Sequence, residues 1–163
     1  MATKTALVRL AGEGLRFEAT VGSGHAIVLD SGDGDAGARP AELLGAALAG
    51  CTAMDVISIL RKKRQPVDAY EVRVSGEQMD EHPHAFTRFD VVHVLDGAGL
   101  DTEAVRRAIE LSATRYCSVG STLASGAVAI HHAFLVREPG GDERYGEVLV
   151  IGPDVEPAAL AAR

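Results

Sequence analysis

Tryptophan is absent from this 163-residue chain, and four phenylalanines and three tyrosines hold the aromatic share to 4%. Aliphatic side chains must therefore fill the core. Cations are also in deficit: 16 Lys and Arg against 23 Asp and Glu leave a net charge of −7. That balance argues against nonspecific nucleic-acid binding, which needs clustered cations facing phosphate. Cysteine occurs only twice, at Cys51 and Cys117. In a reducing compartment such a pair points to redox chemistry before a permanent staple, and a single domain of this length needs no staple. Residues 1 to 20 lack the basic start and unbroken apolar core of a secretory signal, so the expected location is cytoplasmic. No internal repeat, glycine-rich phosphate loop or nucleophile elbow occurs, which leaves nucleotide and serine-hydrolase chemistry without a carrier.

What is present is one dominant stretch, residues 39 to 64, which reads as a long helix carrying Cys51. Pro40 suits a first helical turn and Glu42 suits the positive end of the helix dipole. Four cations, Arg61 to Arg64, suit the negative end before Pro66 stops the helix. Between these ends Leu43, Leu44, Ala47, Leu48, Met54, Val56, Ile57, Ile59 and Leu60 cover every helical direction, the pattern of a buried helix. Asp55 and the small residues Gly45, Ala46, Ala49, Gly50 and Ala53 fit a soluble core helix in close contact with its neighbours, not a membrane span.

Around this helix the chain alternates like strands. Residues 4 to 10, 15 to 20 and 26 to 30 predict a small antiparallel meander, and 69 to 79 and 86 to 95 predict two half-exposed strands. The Asp- and Gly-rich loop 30 to 37 fails the EF-hand register and reads as a flexible acidic connector. His82 and His84 in the turn between strands lack partner ligands for a metal. Asp101 caps a predicted helix through 115, and Ser118 caps a short one through 124, setting Cys117 near a helix N-terminus that favours a thiolate. Residues 127 to 136 form the last core strand, on which His131 and His132 face opposite sides, each expected solvated or satisfied. Glu147 to Ile151 can add an edge strand.

At the two cysteines the chain resembles a known family. The run from Pro40 through Glu42-Leu43-Leu44 to Ala49-Gly50-Cys51-Thr52-Ala53-Met54-Asp55-Val56, paired with Tyr116-Cys117-Ser118-Val119 downstream, is similar to the OsmC/Ohr family, in its branch where Thr follows the first Cys. The likeness spans residues 5 to 136, giving an OsmC-like domain over 1 to 136 and an extension over 137 to 163 that ends in a poorly structured tail. It implies an α+β fold with antiparallel sheets around a long central helix, in an intertwined homodimer with its reactive sites at the subunit interface. An apolar helix with one thin sheet beside it also favours a partner.

The resemblance further implies a thiol peroxidase for organic hydroperoxides, with hydrogen peroxide a second substrate. Cys51 is the expected nucleophile and Cys117 the resolving thiol, given Cα atoms within about 7 Å. A thiolate inside an apolar helix needs a cation, because burial penalises its charge. Arg39 is favoured narrowly over Arg16, with Glu42 to orient it. Family members of the hydroperoxide-resistance branch place that glutamate one residue earlier, where Ala41 stands here. Leu48, Met54 and Val119 are expected to line an opening for an alkyl chain. The implied cycle needs no metal or organic cofactor, only an external dithiol, and its partners are the homodimer, a hydroperoxide and that reductant, with no nucleic acid or membrane. A non-enzymatic redox sensor or small-molecule-binding dimer that retains the cysteines stays open beside it.

Overall fold

A computed structural model describes residues 3 to 152. It divides into two compact units, Met1–Leu44 and Gly45–Arg163, with the break inside the opening turn of the long helix. The tail beyond 152, expected to be poorly structured, lies outside the described residues.

The first unit is the expected meander: β1 (Ala6–Leu10), β2 (Phe17–Val21) and β3 (Ala26–Leu29), antiparallel in that order. Arg16 stands just before β2 instead of within it. Leu7, Val8, Leu10 and Leu15 are all exposed. The acidic loop after β3, expected to be a flexible connector, carries hydrogen bonds of its own. Asp30 is buried, and its carboxylate accepts from the backbone N–H of Ser31 at 2.7 Å and of Ala36 at 3.1 Å. Two backbone donors fix the carboxylate, and with it the loop.

The long helix α1 runs from Glu42 to Lys62. Glu42 reaches back to accept the Arg39 N–H at 2.9 Å, the capping arrangement that starts the helix. The turn at Pro40 and Ala41 lies before its first residue. Length and composition would let α1 cross a bilayer, but Leu48, Thr52, Val56 and Leu60 form a fully buried stripe, which makes it a core helix. Burial on all sides does not hold within one chain: Met54 is 73% exposed.

The second unit builds a four-stranded sheet in the order β4 (Ala69–Gln78), β5 (Phe86–Asp96), β6 (Ala129–Arg137), β7 (Glu143–Ile151). The β5–β6 pair is parallel, a departure from the antiparallel pattern expected throughout. Its cause is the connection: α2 (Thr102–Leu111), a π-helical turn (Ser112–Tyr116) and α3 (Ser118–Ala124) carry the chain from one end of β5 back to the other. One sheet face, with Phe89, Val91, Leu95, Ile130, Phe134 and Val136, packs on α1, α2 and α3 residues including Leu48, Leu60, Val105 and Ile109. Strand β7 completes the sheet from within the stretch past residue 136 and is longer than its sequence signal.

Gly97 closes the turn from β5 toward α2 at a point where backbone meets backbone. A Cβ there would overlap the Pro66 carbonyl oxygen and crowd Leu100 at 3.0 Å. Gly97→Ala should therefore cost at least about 1–3 kcal/mol, since neither the carbonyl nor the packed leucine can yield freely. The urea midpoint measures it, and an unshifted midpoint would show that the turn relaxes.

Candidate functional site

The site is assembled from three points of the second unit. α1 supplies Cys51 and, one turn later, Asp55, so that both side chains leave the same face of the helix. The other cysteine follows the π-helical turn. Cys117 Sγ, Cys51 Sγ and an Asp55 carboxylate oxygen all lie within 4.8 Å of one another. The juxtaposition of two sulfurs 66 residues apart in sequence, left to the family likeness at first, is present in the fold.

The two thiols differ in setting. Cys51 is half-buried, whereas Cys117 is 3% exposed. Cys117 is itself the N-cap of α3, where Ser118 had been expected, and its sulfur accepts the Gly120 N–H at 3.2 Å. That contact favours a thiolate, but burial outweighs it. Burial first, then the hydrogen bond with Cys51, push the Cys117 thiol up to about 12, and the Asp55 carboxylate adds to the rise. Cys117 is therefore a protonated thiol at neutral pH, contrary to the activation expected from its helix N-terminus.

Asp55, beside both sulfurs, is the site neighbour that the sequence showed only as an argument against a membrane span. Its Oδ2 accepts from Ser112 Oγ at 2.9 Å, and Ser112 shares a 3.0 Å hydrogen bond with Thr52. The Thr52 and Ser112 side chains, fully buried, thus tie the Cys51 turn of α1 to the end of α2. The available signal was a carboxylate four residues after a cysteine inside an otherwise apolar run.

Beside Asp55 a groove of 420 Å³ opens along α1, lined by Asp55, Ser58, Ile59, Lys62, Lys63, Leu111 and Tyr116. The residues expected to line an alkyl opening are placed elsewhere. Leu48 is buried in the core, Val119 packs against the same cluster, and Met54 is exposed outside the groove.

Arg39 and Glu42 belong to the first unit, where the Arg39 guanidinium pairs with Asp35 at 3.2 Å and with Glu42 at 3.4 Å. The expected Arg39–Glu42 contact thus forms, although the glutamate is one position later than in the hydroperoxide-resistance branch. Arg16 is in the same unit and exposed.

A second polar feature lies on the helix-covered face of the sheet. Tyr70 Oη and His93 Nδ1 share a 2.7 Å hydrogen bond, and the His93 ring stacks on His132 with centroids 6.0 Å apart. His93 Nε2 and both ring nitrogens of His132 have no hydrogen-bond partner among the described residues. His132 is thus neither solvated nor satisfied, contrary to expectation: parity along β6 turns it inward beneath the helices, while His131 faces the other side. Burial lowers His93 to about 3, aided by His132, and lowers His132 to about 4, aided by His131. Burial, with the Asp55 charge behind it, drives the Tyr70 hydroxyl far above the usual tyrosine range.

Comparison with known proteins agrees with this architecture. Residues 32–132 match the family model of OsmC-like proteins. Protein YhfA of Escherichia coli K12 is 42% identical over 124 residues, covering 76% of this chain and 92% of that protein. The crystal structure of a hypothetical protein from Aquifex aeolicus is 26% identical and superposes with a TM-score of 0.73, covering 85% of this chain and 99% of that one. The organic hydroperoxide resistance protein OhrB of Bacillus subtilis shares the fold at a TM-score of 0.55, with 19% identity over 82% of this chain and 98% of its own. With a model match over most of its length and the cysteine pair assembled as described, this chain belongs to the OsmC-like protein family.

Proposed function

We propose that the protein is a two-cysteine thiol peroxidase that reduces organic hydroperoxides, with hydrogen peroxide as a second substrate. The Cys51 thiolate attacks the terminal oxygen of the O–O bond. That oxygen stays on sulfur as a sulfenic acid, and the other leaves as alkoxide, taking a proton to become an alcohol. The Cys117 thiol then condenses with the sulfenic acid, forming the Cys51–Cys117 disulfide and releasing water. An external dithiol restores both thiols by exchange, itself becoming a disulfide. No metal or organic cofactor takes part in the cycle.

The observation that carries this reading is the approach of both sulfurs to within 4.8 Å, the reachable one on α1 and the sheltered one behind it. Arg39, oriented by Glu42, is the cation proposed to stabilise thiolate and leaving oxygen, with Arg16 as the alternate; Arg39→Gln should slow turnover more than Arg16→Gln. The groove beside Asp55 is the proposed entry for the hydroperoxide's carbon chain. A homodimer in the cytoplasm is the proposed setting, supported by the exposed Leu7, Val8 and Leu10 of one unit and Met54 of the other. The OhrB likeness supports the peroxide-related redox role.

Steady consumption of a dithiol driven by an alkyl hydroperoxide is the decisive measurement. A wild-type rate no higher than background would sink the peroxidase reading. One specific feature favours a sensor instead: a carboxylate, Asp55, lies within 4.8 Å of both sulfurs and opposes a second thiolate. If the disulfide forms once with peroxide and turnover is negligible, the sensor reading replaces the enzyme.

A further inference from the structure

Asp55 has no role in the cycle above, yet it completes a donor set. Two thiol sulfurs and a carboxylate oxygen converge within 4.8 Å from two elements of one unit. Around a single tetrahedral Zn(II), with bonds of about 2.3 Å to sulfur and about 2.0–2.2 Å to oxygen, ligand atoms stand about 3.6–3.8 Å apart, so this set needs to draw in by about 1 Å at most to close on one ion.

The surroundings are those of supported ligands. The Gly120 N–H points at Cys117 Sγ at 3.2 Å, and Ser112 Oγ–H holds Asp55 Oδ2 at 2.9 Å, while the other carboxylate oxygen has no hydrogen-bond partner among the described residues. Such outer hydrogen bonds orient thiolate and carboxylate donors before a metal arrives. Asp55 is in no ion pair among the described residues, so three acidic groups converge with no side-chain cation bonded to the carboxylate. A divalent cation resolves that crowding, because it deprotonates a coordinating thiol and offsets the negative charge.

We propose that the reduced protein binds one Zn(II) through Cys51 Sγ, Cys117 Sγ and Asp55, with water or an exogenous ligand in the fourth position. Binding expels the protons still on the two thiols, leaving neutral solution to take them up. The metal takes no part in peroxide reduction; it occupies the lone pairs the peroxide and the disulfide need. Metal and oxidation are mutually exclusive: the disulfide has no thiolate to offer, and the bound metal masks the nucleophile.

The test titrates Zn(II), and Co(II) as a coloured probe, into fully reduced full-length protein without oxygen. Bound metal is counted after equilibrium dialysis. Expected are one Zn(II) per chain, thiolate-to-cobalt charge transfer with tetrahedral visible bands, and proton release on binding. Asp55→Asn should weaken binding by about 10–100-fold, and Cys51→Ser should remove the charge-transfer pair. Protein oxidised to the disulfide should bind none at this site. Substoichiometric uptake by the reduced wild type would overturn the proposal. So would uptake unchanged by Asp55→Asn and Cys51→Ser but lost in His84→Gln, which would place the metal at the His82–His84 turn. These readouts require no turnover, and peroxidase assays in chelator require no metal, so the two readings fail separately.

Discussion

Cys51→Ser should reduce peroxide-driven dithiol consumption to background, a loss on the order of a thousandfold or more, as expected when a covalent nucleophile is removed. Cys117→Ser should behave differently. Cys51 is the more accessible sulfur and would still react, so this variant should consume one peroxide per chain in a burst and then stall. The stalled species is a sulfenic acid with no partner thiol, open to further oxidation to sulfinic acid. Intact-mass measurement reads it as one added oxygen, then two, while wild type loses two hydrogens. The contrast follows from the different settings of the thiols. Cys117 is enclosed, caps α3 and is held protonated by burial, which suits the resolving role proposed for it. A burst from Cys51→Ser, with none from Cys117→Ser, would reverse the assignment of roles.

The elements that frame this chemistry were readable where local chemistry decides them. The ends of α1 were written by Glu42, the terminal cations and Pro66, and the strands by alternation. The parallel pairing of β5 with β6 was not readable, because alternation reports which faces are buried but not which strand lies beside which. Cys117 was the same kind of problem. Its closeness to Cys51 depends on a long-range contact through the Thr52–Ser112 hydrogen bond and the crossover geometry, for which only the family likeness spoke. Asp55 was visible but misread. As a letter it argued only against a membrane span; as a side chain one turn from Cys51 it belongs to the site. At Cys117 the Gly120 N–H at the start of α3 does favour a thiolate, but burial outweighs it.

Lowering the pH from 7 to 5 should cost the protein about 3–4 kcal/mol of stability through His93 and His132 together. Both rings are buried neutral, with folded-state values of about 3 and about 4 against 6.5 when exposed. The unfolded chain therefore takes up protons below pH 6.5 while the folded one does not. Stability is fully present above that value and falls as the pH drops toward the folded values, with a limiting slope of about 1.4 kcal/mol per pH unit for each ring. The window from 7 to 5 lies above the ordinary carboxylate range, which separates this loss from acid unfolding driven by Asp and Glu. His132→Leu should remove about half the slope. It should also leave stability at pH 7 unchanged or higher, because both His132 nitrogens are buried without partners and leucine has none to leave unpaired. Urea midpoints at pH 7, 6 and 5 for wild type and His132→Leu measure both effects. A wild-type stability that is flat across this window would mean that protonated imidazoles are accommodated inside the sheet. Since Tyr70 already occupies His93 Nδ1, that accommodation would require water or a carboxylate to reach His93 Nε2 or His132.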